Sequence, residues 1–296
     1  MVNEGVDVGQ RGRTDSVVRH DESVGRITSG PELRYDQAVS TPSHPGAAAA
    51  PGTPPAAQTR RGPEPPDISE KGGMKDGQPQ RSDTRLFMQF LAFGGCPDVG
   101  PLTDAVAKAG IAGVLYEDVN DPRGIALLTF DQDPAFFVDR VRPLVNAGRF
   151  AALAQKPEYT MLGRTYSLGY EPDLVDVLMH RPRRTVLNRD WPWAVWYPLR
   201  RSGKFAQLPP EEQRTILAEH GAIGMAYGAG DYAHDIRLAC HGLDKEDNDF
   251  VVGLIGKDLY PLSSIVQTMR KTQQTALYLE HLGPFFVGRA VWQSQL

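Results

Sequence analysis

Cysteine is almost missing from this chain: of 296 residues only Cys96 and Cys240 carry a thiol. A disulfide framework and a four-cysteine zinc site are thereby excluded. An excess of basic charge is missing too, since 32 lysines and arginines face 36 acids for a net charge of -4. Nucleic acid is not expected as a partner, because phosphate contacts need a clustered basic face. No apolar run is long enough for a membrane span. Residues Met1 to Gly30 contain no apolar signal-peptide core and carry acids throughout, so a cytoplasmic location is expected. Large apolar clusters are scarce from Met1 to Ser82, where TPSHPGAAAAPGTPPAAQTRRGPEPPD is mostly Pro, Ala, Gly and charge. Such a segment buries too little apolar surface to offset its chain entropy, and residues 1–82 are read as a disordered extension.

From Asp83 onward the pattern changes. TRLFMQFLAF reads as a strand, VGPLTDAVAKAG as a short helix stopped by Gly110, and IAGVLYEDV and GIALLTF as two strands joined by the turn NDPRG. DPAFFVDRVRPLV places Phe137, Val138, Val141 and Leu144 along one helical face, and the strand YTMLGRTYSL follows. The order β-α-β-β-α-β then recurs: WAVWYPLR, PPEEQRTILAEHG, HDIRLACHG, DFVVGLIG, the single long helix LYPLSSIVQTMRKTQQTALYL and the closing strand PFFVGRAVW. The expected fold is α+β, two ferredoxin-like βαββαβ repeats over residues 83–168 and 191–296 joined by a connecting segment 169–190. Pairing their sheet edges would form an antiparallel β-barrel flanked by helices, with a pocket between sheet and helices. In the connection, HRPRRTVLNR concentrates enough positive charge to bind a small anion, or to form a solvated basic loop.

Seven histidines occur, none with a zinc-type HExxH or CxxC spacing. His220 shares the stripe of Ile216 and Leu217 on a helix expected to end just after it. Helix periodicity alone favours a hydrogen-bonded core histidine there, with the helix C-terminus favouring its protonated form. The strand upstream shifts that balance, because Trp193, Trp196 and Tyr197 are followed by Arg200 and Arg201. Aromatic walls beside cations suit a planar anionic cofactor such as haem, and one imidazole suffices to hold its iron. The same residues also suit plain aromatic core packing.

Along WYPLRRSGKFAQLPPEEQRTILAEHGAIGMAY the sequence resembles the chlorite dismutase superfamily, in particular its branch of coproheme decarboxylases and related haem-dependent peroxidases. The resemblance covers about Thr84 to Trp292 and is carried by the Tyr-Pro strand, the EHG helix segment, the GLD and DF strand and the LGPFFVG terminus. It implies a subunit of two ferredoxin-like halves, a homopentameric ring, and haem b or iron coproporphyrin III as cofactor. It also implies a small-molecule substrate: hydrogen peroxide, coproheme or chlorite. Residue by residue, it makes His220 the proximal ligand of the haem iron and Tyr197 the tyrosine that relays a radical. Trp196 is expected as a wall of the cofactor site from the aromatic strand itself, while the resemblance makes Arg201, at the lysine position of the family's YPMSK motif, a propionate partner. Arg237 falls at or next to the distal position, with Leu238 as the competing occupant. Gln273 in MRKTQ replaces the glutamate that accepts a hydrogen bond from the proximal histidine in MRFDE, and a neutral acceptor gives that histidine less imidazolate character. The implied activities are peroxide-driven oxidation or propionate decarboxylation, chlorite dismutation, or haem carriage or sensing without turnover.

Overall fold

The computed structural model describes residues 63–295. Most of the extension expected over residues 1–82 lies outside the described residues. Its last part does not match the expectation of disorder, because Glu70–Lys75 (β1) and Gln78–Ser82 (β2) form an antiparallel hairpin. Asp76 and Gly77 turn it with positive φ angles of 52° and 78°, the conformation that a tight hairpin turn requires.

The two predicted repeats are both present. The first runs Phe87–Gly94 (β3), Gly100–Ala109 (α1), Gly113–Asp118 (β4) and Ile125–Asp131 (β5). A π turn at Phe137–Val141 then leads into Arg142–Val145 (α2), followed by Ala154–Thr165 (β6). A second π turn, Asp176–His180, and Arg181–Leu187 (α3) make up the helical part of the connection. The second repeat runs Trp193–Arg201 (β7), Gly203–Ala206 (α4), Pro210–Ala229 (α5), His234–Ala239 (β8) and Phe250–Gly256 (β9). It closes with Leu259–Met269 (α6), Gln273–Tyr278 (α7), Leu279–Leu282 (β10) and Phe286–Gln293 (β11).

Two expected boundaries change, and both matter for the site. The helix carrying His220 does not end there but continues to Ala229, so His220 lies inside a 20-residue helix. The helix expected to run unbroken from Leu259 to Leu279 stops at Met269 and restarts at Gln273, where the Thr272 side chain accepts from the Thr275 N–H as the new N-cap.

All strand pairs are antiparallel. Each half has the ferredoxin-like order, β4-β5-β3-β6 in the first and β8-β9-β7-β11 in the second. The halves join through β11 with β4 and through β6 with β8, so these eight strands close into a barrel. Closure leaves two faces on every strand. The inner face fills the barrel with Phe90, Tyr116, Trp196, Leu238 and Phe286. Outside, α1 and α2 cover the first half over Leu115, Leu127 and Phe137. On the second half, α5 and α6 cover Val195, Tyr197, Leu199 and Leu254. Among the described residues no helix is long and apolar enough to cross a membrane.

Candidate functional site

Between the outer face of the second half and the helices α5 and α6 lies a cavity of about 420 Å³. It exists because the helix face above the sheet is short of side chains. His220, Gly224 and Gly228 follow one another at intervals of four on α5, with Gly221 beside them, and all line the cavity. A Cβ built on Gly221 would meet nothing within 4 Å, and on Gly224 or Gly228 nothing closer than 3.9 Å. The glycines thus present bare helix backbone to open space, the shape a flat molecule needs to lie close. The spacing is visible in EHGAIGMAYG, but only the burial of the opposite sheet shows that it faces a cavity.

His220 is tied back from the cavity. Its Nδ1 stands 3.5 Å from Thr272 Oγ1. The Thr272 hydroxyl donates its single hydrogen to the Met269 carbonyl at 2.8 Å, so towards His220 it can only accept. With that hydrogen committed, the contact suits the Nδ1–H tautomer, which leaves an unprotonated Nε2 available as a ligand. Burial lowers the His220 pKa, and the positive charges of Arg201 and Arg237 lower it further. Both effects keep the ring neutral, contrary to the protonated form expected from a helix end: the ring is inside α5, away from the terminal carbonyls.

The sheet side is set by strand alternation. Tyr197 on β7 lines the cavity, and burial, reinforced by Asp235, pushes its phenol well above the ordinary value while Arg270 opposes. Trp196, one residue earlier, points the other way. It is fully buried inside the barrel, with its ring 5.7 Å from Phe90 and against Gly253. Its assignment as a wall of the cofactor site is therefore corrected: successive residues of a strand face opposite sides. Arg237 on β8 lines the cavity and pairs with Asp235 at 2.9 Å, whereas Leu238 packs in the barrel interior.

Arg201 shares the strand face of Tyr197 but is not part of the cavity wall. Its guanidinium lies over the rings of Phe205 and Phe250, at 5.0 and 4.6 Å, and burial lowers its pKa. Gln273 is also displaced from its expected place behind His220. It is exposed, and its backbone N–H donates to Glu219 Oε2 at 3.0 Å. Thr272 stands behind His220 instead, and the neighbouring Gln274 is the buried glutamine of the cavity wall. The side-chain oxygen of Gln274 has no hydrogen-bond partner among the described residues. Thr272, Gln274 and Arg270, also in the wall, are not identified from the sequence, because periodicity predicts no break in the long helix.

Comparison with known proteins agrees with this architecture. A haem-binding protein from Thermus thermophilus is 19% identical and superposes with a TM-score of 0.55, over 71% of this chain and 92% of its own. Chlorite dismutase from Candidatus Nitrospira defluvii in complex with imidazole is 14% identical with a TM-score of 0.54, over 71% of this chain and 93% of its own. At these identities the likeness establishes the shared fold. No curated protein matches. The sequence profile described as chlorite dismutase matches residues 141–291, just over half of the chain and every residue that lines the cavity. This chain belongs to the chlorite dismutase family.

Proposed function

We propose that the cavity holds haem, either haem b or iron coproporphyrin III, whose iron His220 would hold through Nε2, and that the protein is a peroxide-dependent haem oxidoreductase. The observation that carries this reading is the orientation of His220: neutral, with Nδ1 bound to Thr272, on a wall of bare glycine backbone. The residues fit the group. The glycines leave room for a flat ring, the buried oxygen of Gln274 lacks a partner among the described residues, and about 420 Å³ falls in the range of cofactor sites. The Thermus relative is described as haem-binding, which supports the same assignment.

When bound, haem supplies the iron at which peroxide is reduced and one-electron oxidations begin. This chain's residues do the rest. Arg237, Arg270 and Arg181 line the cavity and suit the carboxylates of a porphyrin or an incoming anion. Arg201, held between two rings, acts on His220 at a distance by keeping it neutral. Tyr197 keeps its phenolic proton at neutral pH, so it gives up an electron and a proton together. If iron coproporphyrin III is the substrate, each propionic acid side chain would become a vinyl group that stays on the ring, with one peroxide consumed and one carbon dioxide and two waters released. Arg237, lining the cavity where Leu238 does not, favours a second reading, chlorite dismutation.

The test is titration of the full chain with haemin and with iron coproporphyrin III, followed by peroxide or by chlorite. Loss of propionate mass or oxidation of an added donor supports the first reading, and oxygen release from chlorite supports the second. Failure to bind either porphyrin refutes both.

A further inference from the structure

The β1–β2 hairpin has little apolar surface, and its exposed strands cover no core of their own. Its contacts are polar and converge on the stretch between β6 and the π turn at Asp176–His180. The Gly73 N–H donates to the Glu171 carbonyl at 2.9 Å. The Gln80 side-chain nitrogen lies 2.9 Å from Glu171 O, 3.1 Å from Pro172 O and 3.1 Å from Gly73 O, while its oxygen accepts from the Leu174 N–H at 3.0 Å. One amide therefore holds both the hairpin and the segment opposite. At this junction a Cβ on Gly72 would stand 3.0 Å from Leu174 Cβ, and one on Gly73 3.0 Å from Tyr170 O, so the close approach depends on glycine. Glu70 reinforces the junction by accepting from Arg164 at 2.9 Å, Ser167 N–H at 2.9 Å and Ser167 Oγ at 3.0 Å.

The clamped segment is part of the cavity. Tyr170, Glu171 and Pro172 line it, and residues 166–173 have no helix or strand to hold them. The Glu171 carboxylate accepts from the Leu168 and Gly169 N–H groups, which ties the loop to itself but not to the barrel. The ends of the loop are held by Tyr166 against Phe250 and by Leu174 in the barrel core, and the hairpin supplies the hydrogen bonds to the Glu171 and Pro172 carbonyls between them.

We infer that the β1–β2 hairpin is a latch on the cavity and that Gln80 is its positioning residue, fixing the 170–172 wall and so setting how firmly the bound porphyrin is retained. The inference rests on the haem reading above for its ligand, and on geometry alone for the latch.

Two measurements on the full chain separate the two. In the ligand-free protein, amide hydrogen exchange at Leu174 and Gly73, whose N–H groups donate across the junction, reports the clamp. In the haemin-loaded protein, transfer of haemin to excess apomyoglobin reports retention. Gln80→Ala, and the isosteric Gln80→Glu, which puts a carboxylate against carbonyl oxygens, should each speed transfer about tenfold, as expected when roughly two net hydrogen bonds are lost. Both should also raise exchange at Leu174 while leaving the barrel amides protected. Transfer within twofold of wild type for both variants overturns the latch, whatever exchange does. If the wild-type chain takes up no haemin, the haem reading fails by itself, and unchanged exchange at Leu174 would then overturn the clamp as well.

Discussion

The Nδ1 of His220 and the hydroxyl of Thr272, 52 residues apart in sequence, meet at 3.5 Å across the junction of α5 with the break between α6 and α7. That contact favours the Nδ1–H form of the histidine, and the break that produces it makes Thr272 the cap of α7. Removing the hydroxyl should therefore have two effects. Thr272→Val is expected to cost about 1 kcal/mol of stability from the lost cap. It should also shift the His220 ring ¹⁵N resonances towards a mixture of tautomers, and Thr272→Ser should restore both.

His220→Ala should remove the residue that would hold the iron without unfolding the chain, because the side chain is only half-buried and alanine is the best helix former. In an absorption titration, haemin affinity is expected to fall at least about tenfold, equivalent to about 1.4 kcal/mol. An unchanged Soret band would show that another residue ligates the iron.

Tyr197→Phe removes one hydroxyl and keeps the ring that packs 4.6 Å from Phe285. Porphyrin affinity should stay within about twofold, while peroxide-driven turnover falls about a hundredfold, the scale of a lost hydrogen-transferring group. Single-turnover kinetics with peroxide read the difference.

Trp196→Ala tests the corrected placement of that ring. Its side chain is fully buried within the barrel, so truncation should cost about 3–5 kcal/mol in chemical denaturation. The fraction still folded should bind haemin with wild-type affinity, since the cavity lies on the other face of β7. Weakened binding at unchanged stability would return Trp196 to the cofactor wall.

Cys240 donates to the Asn248 carbonyl at 3.1 Å, and burial pushes its thiol from the ordinary 9.0 up to about 12. The folded protein therefore keeps the proton that the unfolded chain loses above pH 9. The stabilising contribution is fully present below pH 9 and disappears as the pH approaches 12. At pH 8 a thiol reagent should label Cys240 only at the rate of unfolding, which mass spectrometry can follow.

Much of the fold is legible along the chain. Alternating and helical periodicities mark the strands and most helices of both βαββαβ units, and the sequence resemblance singles out His220, Tyr197 and Arg237 without knowledge of any contact. The errors have one origin. Periodicity tells which residues share a face, but not what lies against that face. Six consecutive residues of β7, Ala194 to Leu199, are buried, because one side packs in the barrel and the other under α5 and α6. The pattern of apolar residues therefore cannot say whether Trp196 or Tyr197 meets the cavity.

The hairpin at 70–82 escapes sequence reading for a related reason. It is polar, and its stability comes from hydrogen bonds to residues about 90 positions away, which composition does not register.

The sequence by itself determined the repeat, its antiparallel architecture and the residue types able to hold a metal-bearing ring, since these follow from local backbone preference and burial period. Only the tertiary structure decided which strand face is the cavity, that Thr272 and not Gln273 stands behind His220, and that Gln80 anchors the opposite wall. Those are contacts between segments far apart in the chain, fixed when the barrel closes and its helices dock.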